Sequence, residues 1–196
     1  ITKWNYQIRR AEDIAWAVAR AFYIAKSGRP GPVVLDFTKN AQTAMFEYEP
    51  QKVDFIRSYK PVPQCEPSVI EKAAQMINES VKPFILVGQG VELAGAQKQL
   101  LDLCEKAQIP FGQTFLGLSA APSDHPLNMG RLGMHGNLAP NVMTNQCDLL
   151  IAIGMRFDDR VTGNLKTYAK QAKIIHFEID PSEIDKNVKV NLAVMG

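Results

Sequence analysis

The sequence predicts an α/β protein built on a doubly wound parallel sheet. Three observations lead to this prediction: short apolar runs recur along the second half of the chain, helical periodicity separates them, and the runs are apolar at nearly every position. Strands of that kind are buried on both faces, which is typical of parallel sheets covered by helices on each side. The composition agrees, because 46% hydrophobic and 21% charged residues are ordinary for a globular domain.

Residues 1–42 predict a helix and a strand, which we interpret as the C-terminal tail of a preceding domain. Apolar residues recur at helical spacing over 11–27, and Gly28 follows where a C-terminal glycine cap is expected. The β-branched run at 33–37, bounded by turn residues, predicts a buried strand. Residues 43–66 carry several prolines and no sustained period, so we predict an interdomain linker there.

Residues 67–196 predict the doubly wound domain itself. We expect Ser68 to cap its first helix, because Glu71 stands three residues later and completes a capping box. Strands and helices then alternate, with a long loop that runs through residue 136. The predicted strands are 83–87, 109–113, 149–153, 173–179 and 190–194, and the predicted helices lie near 94–107 and 138–147.

Charge and cysteine content argue against several classes of protein. The net charge is +2 and the basic residues are scattered, so neither nucleic acid nor a membrane surface is an expected partner. No apolar run approaches the roughly 20 residues of a membrane-spanning helix and no signal peptide is visible, so we predict a cytoplasmic protein. Three cysteines without C-x-x-C spacing predict reduced thiols, with Cys104 and Cys147 as small buried hydrophobes.

Polar residues and glycines follow four of the predicted strands. Because the carboxyl ends of parallel strands share one edge, where open sheets bind ligands, we expect these residues to form one site. Glycines allow close approach to a diphosphate, guanidinium groups neutralise it, and a carboxylate can bind ribose hydroxyls, so a dinucleotide is the expected ligand. Glycines at 88, 90 and 95 do not match G-x-G-x-x-G, which disfavours a simple NAD site. The strand-end residues are Gly88, Gly90, Thr114, Phe115, Gly154, Arg156, Asp158, Arg160, Glu178 and Ile179.

Some of these residues also have a purely structural interpretation. Asp158 can be read as a helix N-cap, and Asp159 with Arg160 as an exposed ion pair of small energetic value. His176 lies inside an apolar strand, which favours a core histidine over a general base. His135 lies between glycines in a loop long enough to be functional, so it is a candidate site residue.

Four segments of the chain resemble the acetolactate synthase family, also called the acetohydroxyacid synthases, which are thiamine-diphosphate enzymes. The resemblance covers nearly the whole chain. The first segment marks only the wider group of thiamine-diphosphate decarboxylases and ligases, whereas the second and third together are much more specific. The segments are GRPGPVVLDF, RLGMHGN, GMRFDDRVTG and IIHFEIDPSEIDKN.

The resemblance implies that the chain is a fragment of a longer enzyme. Residues 1–42 then look like the tail of the pyrimidine-binding domain and 67–196 like the central domain, without the domain that holds the diphosphate and Mg²⁺. The family decarboxylates pyruvate on thiamine diphosphate and condenses the hydroxyethyl unit with a second 2-oxo acid in branched-chain amino-acid biosynthesis. No catalytic residue and no metal site is expected within the chain, so the fragment is expected to be inactive alone. The resemblance implies a homo-oligomer and leaves a regulatory subunit open.

The family's central domain binds FAD, which takes no net redox part in the synthase reaction. The resemblance implies that Arg156 and Arg160 orient the FAD diphosphate and that Asp158 fixes the arginine fork. Met155 stands where a small residue is usual, and we expect it to narrow the site. A glyoxylate carboligase and a non-catalytic dinucleotide-binding module remain as alternatives. The implied FAD contacts are Gly88, Gly90, Thr114, Phe115, Leu132, Gly133, Met134, His135, Gly154, Arg156, Asp158, Arg160, Val161, Glu178 and Ile179.

Overall fold

A computed structural model describes residues 1–196, which divide into two units, Ile1–Pro63 and Gln64–Gly196. The division falls inside the segment that the sequence predicts as a linker. No helix in the chain is long and apolar enough to span a membrane.

The first unit is a two-stranded parallel sheet packed against one long helix. Its two strands pair in register from Trp4 opposite Val33 to Ile8 opposite Phe37. The predicted helix and strand are present, and Gly28 has the positive φ of +61° expected beyond a helix end. The elements are β1 (Trp4–Ile8), a 3₁₀ turn (Ala11–Asp13), α1 (Ile14–Lys26), β2 (Val33–Phe37) and α2 (Lys39–Thr43).

Strand β1 is absent from the sequence-based prediction, although its signal is readable. Trp4, Tyr6 and Ile8 alternate with polar residues, which is the period of a half-buried strand. Ile8 is fully buried and packs with Ala17 and Ala41 in a small core. The strand thus supplies the inward face on which the predicted helix rests.

The second unit is a six-stranded sheet in which every neighbouring pair is parallel, in the order β5-β4-β3-β6-β7-β8. This confirms the predicted α/β fold class. Its helices are α3 (Pro67–Glu79), α4 (Gln89–Leu93), α5 (Gln97–Ala107), α6 (Leu138–Thr144) and α7 (Asp159–Thr162). Its strands are β3 (Pro83–Val87), β4 (Phe111–Gln113), β5 (Asn128–Arg131), β6 (Leu149–Ile153), β7 (Lys173–Glu178) and β8 (Leu192–Met195).

The central strands bury side chains on both faces of this sheet, as their continuous apolar runs predict. In β3, Ile85 and Val87 belong to one core cluster, whereas Phe84 and Leu86 belong to the other. Alternate residues of β6 divide between the same two clusters. The sheet is therefore covered by apolar side chains on both faces.

Several predicted boundaries are wrong. Helix α3 begins at Pro67 with Glu66 as its N-cap, so Ser68 makes no cap. Proline suits the first helical position because it lacks the N–H that would be unpaired there. The helix predicted near 94–107 is α5, which begins at Gln97, and the short helix α4 before it is absent from the prediction. The predicted long loop also contains β5, whose register against β4 is irregular.

Candidate functional site

The carboxyl edge of the sheet has a topological switch point between β3 and β6. These strands are neighbours, but β4 and β5 lie beyond β3, whereas β7 and β8 lie beyond β6. Open parallel sheets form a ligand crevice at such a point, because the connections diverge there. Gly88 follows β3 and Gly154 follows β6, so predicted site residues flank the switch point on both sides.

The glycines at the switch point bring two strand-end turns into backbone contact. The Gly88 amide donates to the Ile153 carbonyl and the Gly90 amide donates to the Gly154 carbonyl, each at 2.9 Å. A Cβ on Gly88 would lie 2.2 Å from the Gly154 oxygen, and one on Gly90 would lie 2.6 Å from the Gly154 Cα. These glycines allow the turns to pack closely. Because their amides are already engaged, contacts to a phosphate in this conformation fall to other donors.

Asp158 contacts helix α7 with one carboxylate oxygen and the Arg156 side chain with the other. One carboxylate oxygen, Oδ1, accepts from the amides of Arg160 and Val161 at 3.1 and 3.2 Å, which caps α7. The other, Oδ2, accepts from the Arg156 Nε at 3.0 Å. The N-cap interpretation is therefore confirmed, and the Asp158 carboxylate also holds the Arg156 side chain, whereas its role towards a bound FAD stays a prediction. Arg160 pairs through its Nη1 with the Asp159 carboxylate at 3.4 Å, and both side chains are exposed.

The loop at residues 132–135 packs against residues 156–160, which we call the arginine segment. Gly133 has a φ of +96°, and the neighbouring Met134 amide donates to the Arg160 carbonyl at 2.8 Å. Leu132 is buried, whereas the Met134 and His135 side chains are exposed. A cavity of about 290 Å³ lies between the two segments. Its walls include Leu132, Gly133, Met134, Arg160, Val161 and Tyr168.

Thr114 and Phe115 directly follow β4, which lies on the β5 side of the switch point. The Thr114 Oγ1 accepts from the Gly117 amide at 3.1 Å and thereby caps a 3₁₀ turn over Phe115–Gly117. The Phe115 ring is 69% exposed. An exposed aromatic ring at a strand end offers a flat apolar surface for a planar ligand.

Glu178 is the last residue of β7 and Ile179 follows it, beyond the switch point. The Glu178 side chain is buried, and its Oε1 accepts from the amides of Ile179 and Asp180 at 3.0 and 3.1 Å. The carboxylate is therefore turned into its own strand-end turn, and its Oε2 lies 3.7 Å from the buried His176 Nε2. Asp180 caps the following 3₁₀ turn by accepting from the Ser182 amide at 3.0 Å.

Several residues assigned to the interior are found there. His176 is fully buried and its Nε2 lies 2.8 Å from the Met155 carbonyl, which confirms it as a core histidine. The expectation that Met155 narrows the site is wrong, because its side chain is buried with Phe84 in the core. Burial raises the pKa of the Cys104 and Cys147 thiols to about 12, which makes them unreactive apolar residues.

Two residues that shape the site were missed by the sequence reasoning. The Arg131 guanidinium lies 5.8 Å from the Phe115 ring and donates to the His135 carbonyl, so it connects two candidate segments. Its position directly before the L-G-M-H-G motif was an available signal. Asn141 accepts from the Gly133 amide and donates to the Gly133 carbonyl at 2.9 and 3.0 Å. Nothing in the sequence distinguishes this helical asparagine from one that faces solvent.

The donor set fits an anionic dinucleotide at the arginine segment. The exposed Arg156 guanidinium is held by a carboxylate through Nε, which leaves its terminal nitrogens available for phosphate oxygens. The sheet and its switch point define a doubly wound α/β domain, with an exposed cation at the edge where such sheets bind ligands. No group of three or more His, Cys, Asp or Glu side chains is arranged to hold a metal ion.

Comparison with known proteins identifies the family to which the chain belongs. Residues 70–196 match the family model described as the thiamine pyrophosphate enzyme, central domain, and the chain belongs to this family.

The whole chain is similar to acetolactate synthase large subunits. It is 47% identical to a protein named as a probable acetolactate synthase large subunit from Methanocaldococcus jannaschii, 43% to the large subunit of Corynebacterium glutamicum and 38% to that of Haemophilus influenzae. Each match covers 100% of this chain but 34%, 31% and 35% of the respective relative. The chain therefore spans about a third of the length of the curated relatives that it matches.

A crystal structure supports the fold alone. It is that of a protein from Mycobacterium smegmatis, described as thiamin diphosphate-dependent, with a TM-score of 0.76 and 23% sequence identity. The match covers 99% of this chain and 37% of that structure.

Proposed function

We propose that this chain is the central part of an acetolactate synthase large subunit. The identity of 38–47% to acetolactate synthase large subunits over the whole chain is the observation on which the proposal rests. The whole enzyme would release CO₂ from pyruvate on thiamine diphosphate with Mg²⁺, then transfer the hydroxyethyl unit to a second 2-oxo acid. It would work as a cytoplasmic homo-oligomer, with or without a regulatory subunit. This part would supply a scaffold and no catalytic side chain.

The activity is tested on the full-length enzyme. We expect purified enzyme with thiamine diphosphate and Mg²⁺ to form acetolactate from pyruvate alone. Product formed only when glyoxylate is added would instead identify a glyoxylate carboligase. If no product forms with pyruvate or with glyoxylate, but a dinucleotide binds saturably, the protein is a binding module without catalysis.

We further propose that the carboxyl edge binds FAD as a structural cofactor. Arg156 would contact the diphosphate through its terminal nitrogens, since its Nε is engaged by Asp158. The cavity beside Gly133 and the exposed Phe115 ring offer apolar surface to planar parts of the ligand. The engaged amides of Gly88 and Gly90 indicate that these two residues contribute close approach only.

Titration of the purified chain with FAD, followed by flavin fluorescence, tests this site. Arg156→Ala is expected to weaken binding by about tenfold or more, because a hydrogen bond to a charged group contributes about 1.5–3 kcal/mol. Asp158→Asn retains Oδ1 as the helix cap but loses the acceptor for Arg156, so an intermediate loss is expected. Arg57→Ala, at an exposed arginine in the first unit, is the matched control. Equal affinities for wild type and Arg156→Ala would refute the role of Arg156.

A further inference from the structure

The backbone around Arg156 is held at three successive carbonyl groups. The Met155 carbonyl accepts from the His176 Nε2 at 2.8 Å, and the Arg156 carbonyl accepts from the Asp158 amide at 3.0 Å. The Phe157 carbonyl accepts from the Asn187 Nδ2 at 2.8 Å. Two of the three donors are side chains from more than twenty residues further along the chain.

His176 also contacts the other neighbour of Arg156. Its ring meets the Phe157 ring edge to face, with centroids 5.1 Å apart. Because His176 lies on β7, beside β6, it is anchored in the sheet from which the arginine segment emerges. The residues before and after Arg156 are thus both fixed by one buried side chain.

Packing alone does not explain a histidine at this buried position. A carbonyl oxygen can only accept, so Nε2 carries a proton, and Nδ1 has no hydrogen-bond partner. An unpaired buried polar atom is destabilising, whereas an apolar ring would fill the space without leaving such an atom. What an apolar residue lacks is the bond from Nε2 to the Met155 carbonyl, beside which the Glu178 Oε2 lies 3.7 Å from the same nitrogen.

We propose that His176 and Asn187 are positioning residues that fix the Arg156 segment at the carboxyl edge. Neither side chain is assigned a contact with the ligand. His176 holds the carbonyl before Arg156 and Asn187 holds the carbonyl after it, so the arginine leaves a rigid backbone and reaches Asp158 in one orientation. This inference rests on the proposed role of Arg156 in binding an anionic cofactor.

The first test needs no ligand. In ¹⁵N-labelled protein the Nε–H resonance of Arg156, assigned by its loss in Arg156→Lys, reports on the bond to Asp158. Asn187→Ala removes the donor to the Phe157 carbonyl and so loosens the backbone next to Arg156. The charged hydrogen bond from Arg156 to Asp158 then weakens, and solvent exchange of this proton is expected to be about tenfold faster. Asn78→Ala, on the distant helix α3, is the matched control. Exchange in Asn187→Ala equal to that in wild type and Asn78→Ala would overturn the role of Asn187.

His176 is tested by two substitutions that separate its bond from its packing. Gln carries an amide nitrogen at a similar reach to Nε2, so His176→Gln is expected to retain slow exchange at Arg156. His176→Phe keeps an aromatic ring against Phe157 but has no donor, so fast exchange is expected. Ring ¹⁵N shifts of wild-type His176 are expected to show the Nε2–H tautomer. Similar exchange rates in the two variants at similar melting temperature would overturn the role of His176.

A double-mutant cycle connects positioning to binding. Asn187→Ala is expected to weaken FAD binding in the wild-type background and to have no further effect in Arg156→Ala, because it acts only through that arginine. Additive losses would overturn the positioning inference. If Arg156→Ala itself binds FAD as tightly as wild type, the proposed cofactor role fails, and the exchange measurements still decide the positioning role by themselves.

Discussion

At the scale of single residues, Gly133 joins two parts of the candidate site. Its backbone φ of +96° turns the chain so that the next amide donates to the Arg160 carbonyl. A Cβ at Gly133 would lie 2.7 Å from that same carbonyl oxygen. The residue therefore has both a conformational and a steric reason to be glycine. Gly95 has the first reason only, since its φ is +64° and a Cβ added there would meet no other atom within 4 Å.

We expect Gly133→Ala to be much more destabilising than Gly95→Ala. Strain at a positive φ costs about 1 kcal/mol for alanine, and this is the whole effect expected for Gly95→Ala. Gly133→Ala must also displace the Arg160 backbone, so a loss of about 3 kcal/mol is expected. Urea unfolding of both variants measures the difference. Equal losses would show that the contact between Gly133 and Arg160 gives way without cost.

At the scale of secondary-structure elements, Asp148 connects the start of β6 to the turn between α3 and β3. Its carboxylate accepts from the Ser80 hydroxyl at 2.5 Å and from the amides of Val81 and Lys82 at 2.7 and 2.9 Å. Burial alone would raise the pKa of Asp148, but these hydrogen bonds outweigh it and lower the pKa below its usual value. The ionised form is therefore favoured in the folded state.

This lowered pKa predicts a stability change at acid pH. A carboxylate whose folded-state pKa is depressed stabilises the protein above its unfolded pKa of about 3.9, and the contribution is lost as pH falls through the folded pKa. Asp148→Asn is thus expected to cost about 1–2 kcal/mol at pH 7 and progressively less below about pH 4. Urea unfolding across this pH range measures it. Asp102→Asn, in an exposed i,i+4 pair with Lys98, is expected to change little. A pH-independent difference for Asp148→Asn would contradict the assignment.

At the scale of the whole molecule, the two units differ in the size of their hydrophobic cores. The second unit has an apolar cluster on each face of a six-stranded sheet. The first has two strands and a core centred on Ile8, Ala17 and Ala41. A two-stranded sheet is marginal by itself in water, whereas a sheet buried on both faces can fold independently.

We therefore expect residues 64–196 to fold when expressed alone and residues 1–63 to remain largely unfolded. Circular dichroism during urea titration is expected to show one cooperative transition for 64–196 and none for 1–63. A cooperative transition in the shorter piece would mean that its small core is sufficient. Loss of the transition in the longer piece would mean that the second unit depends on the first.

By itself the sequence determined the parallel α/β class, the main strands and the edge where polar residues collect. These follow from local periodicity and from the rule that parallel strands end on one side, and neither needs knowledge of distant contacts. Only the tertiary structure decided that β5 joins the sheet, that Met155 faces the core and that the amides of Gly88 and Gly90 are engaged. The same holds for Asn187, whose partner Phe157 lies thirty residues earlier in the chain. The physical reason is that each of these outcomes depends on which distant backbone groups and side chains the fold brings within hydrogen-bonding or packing distance.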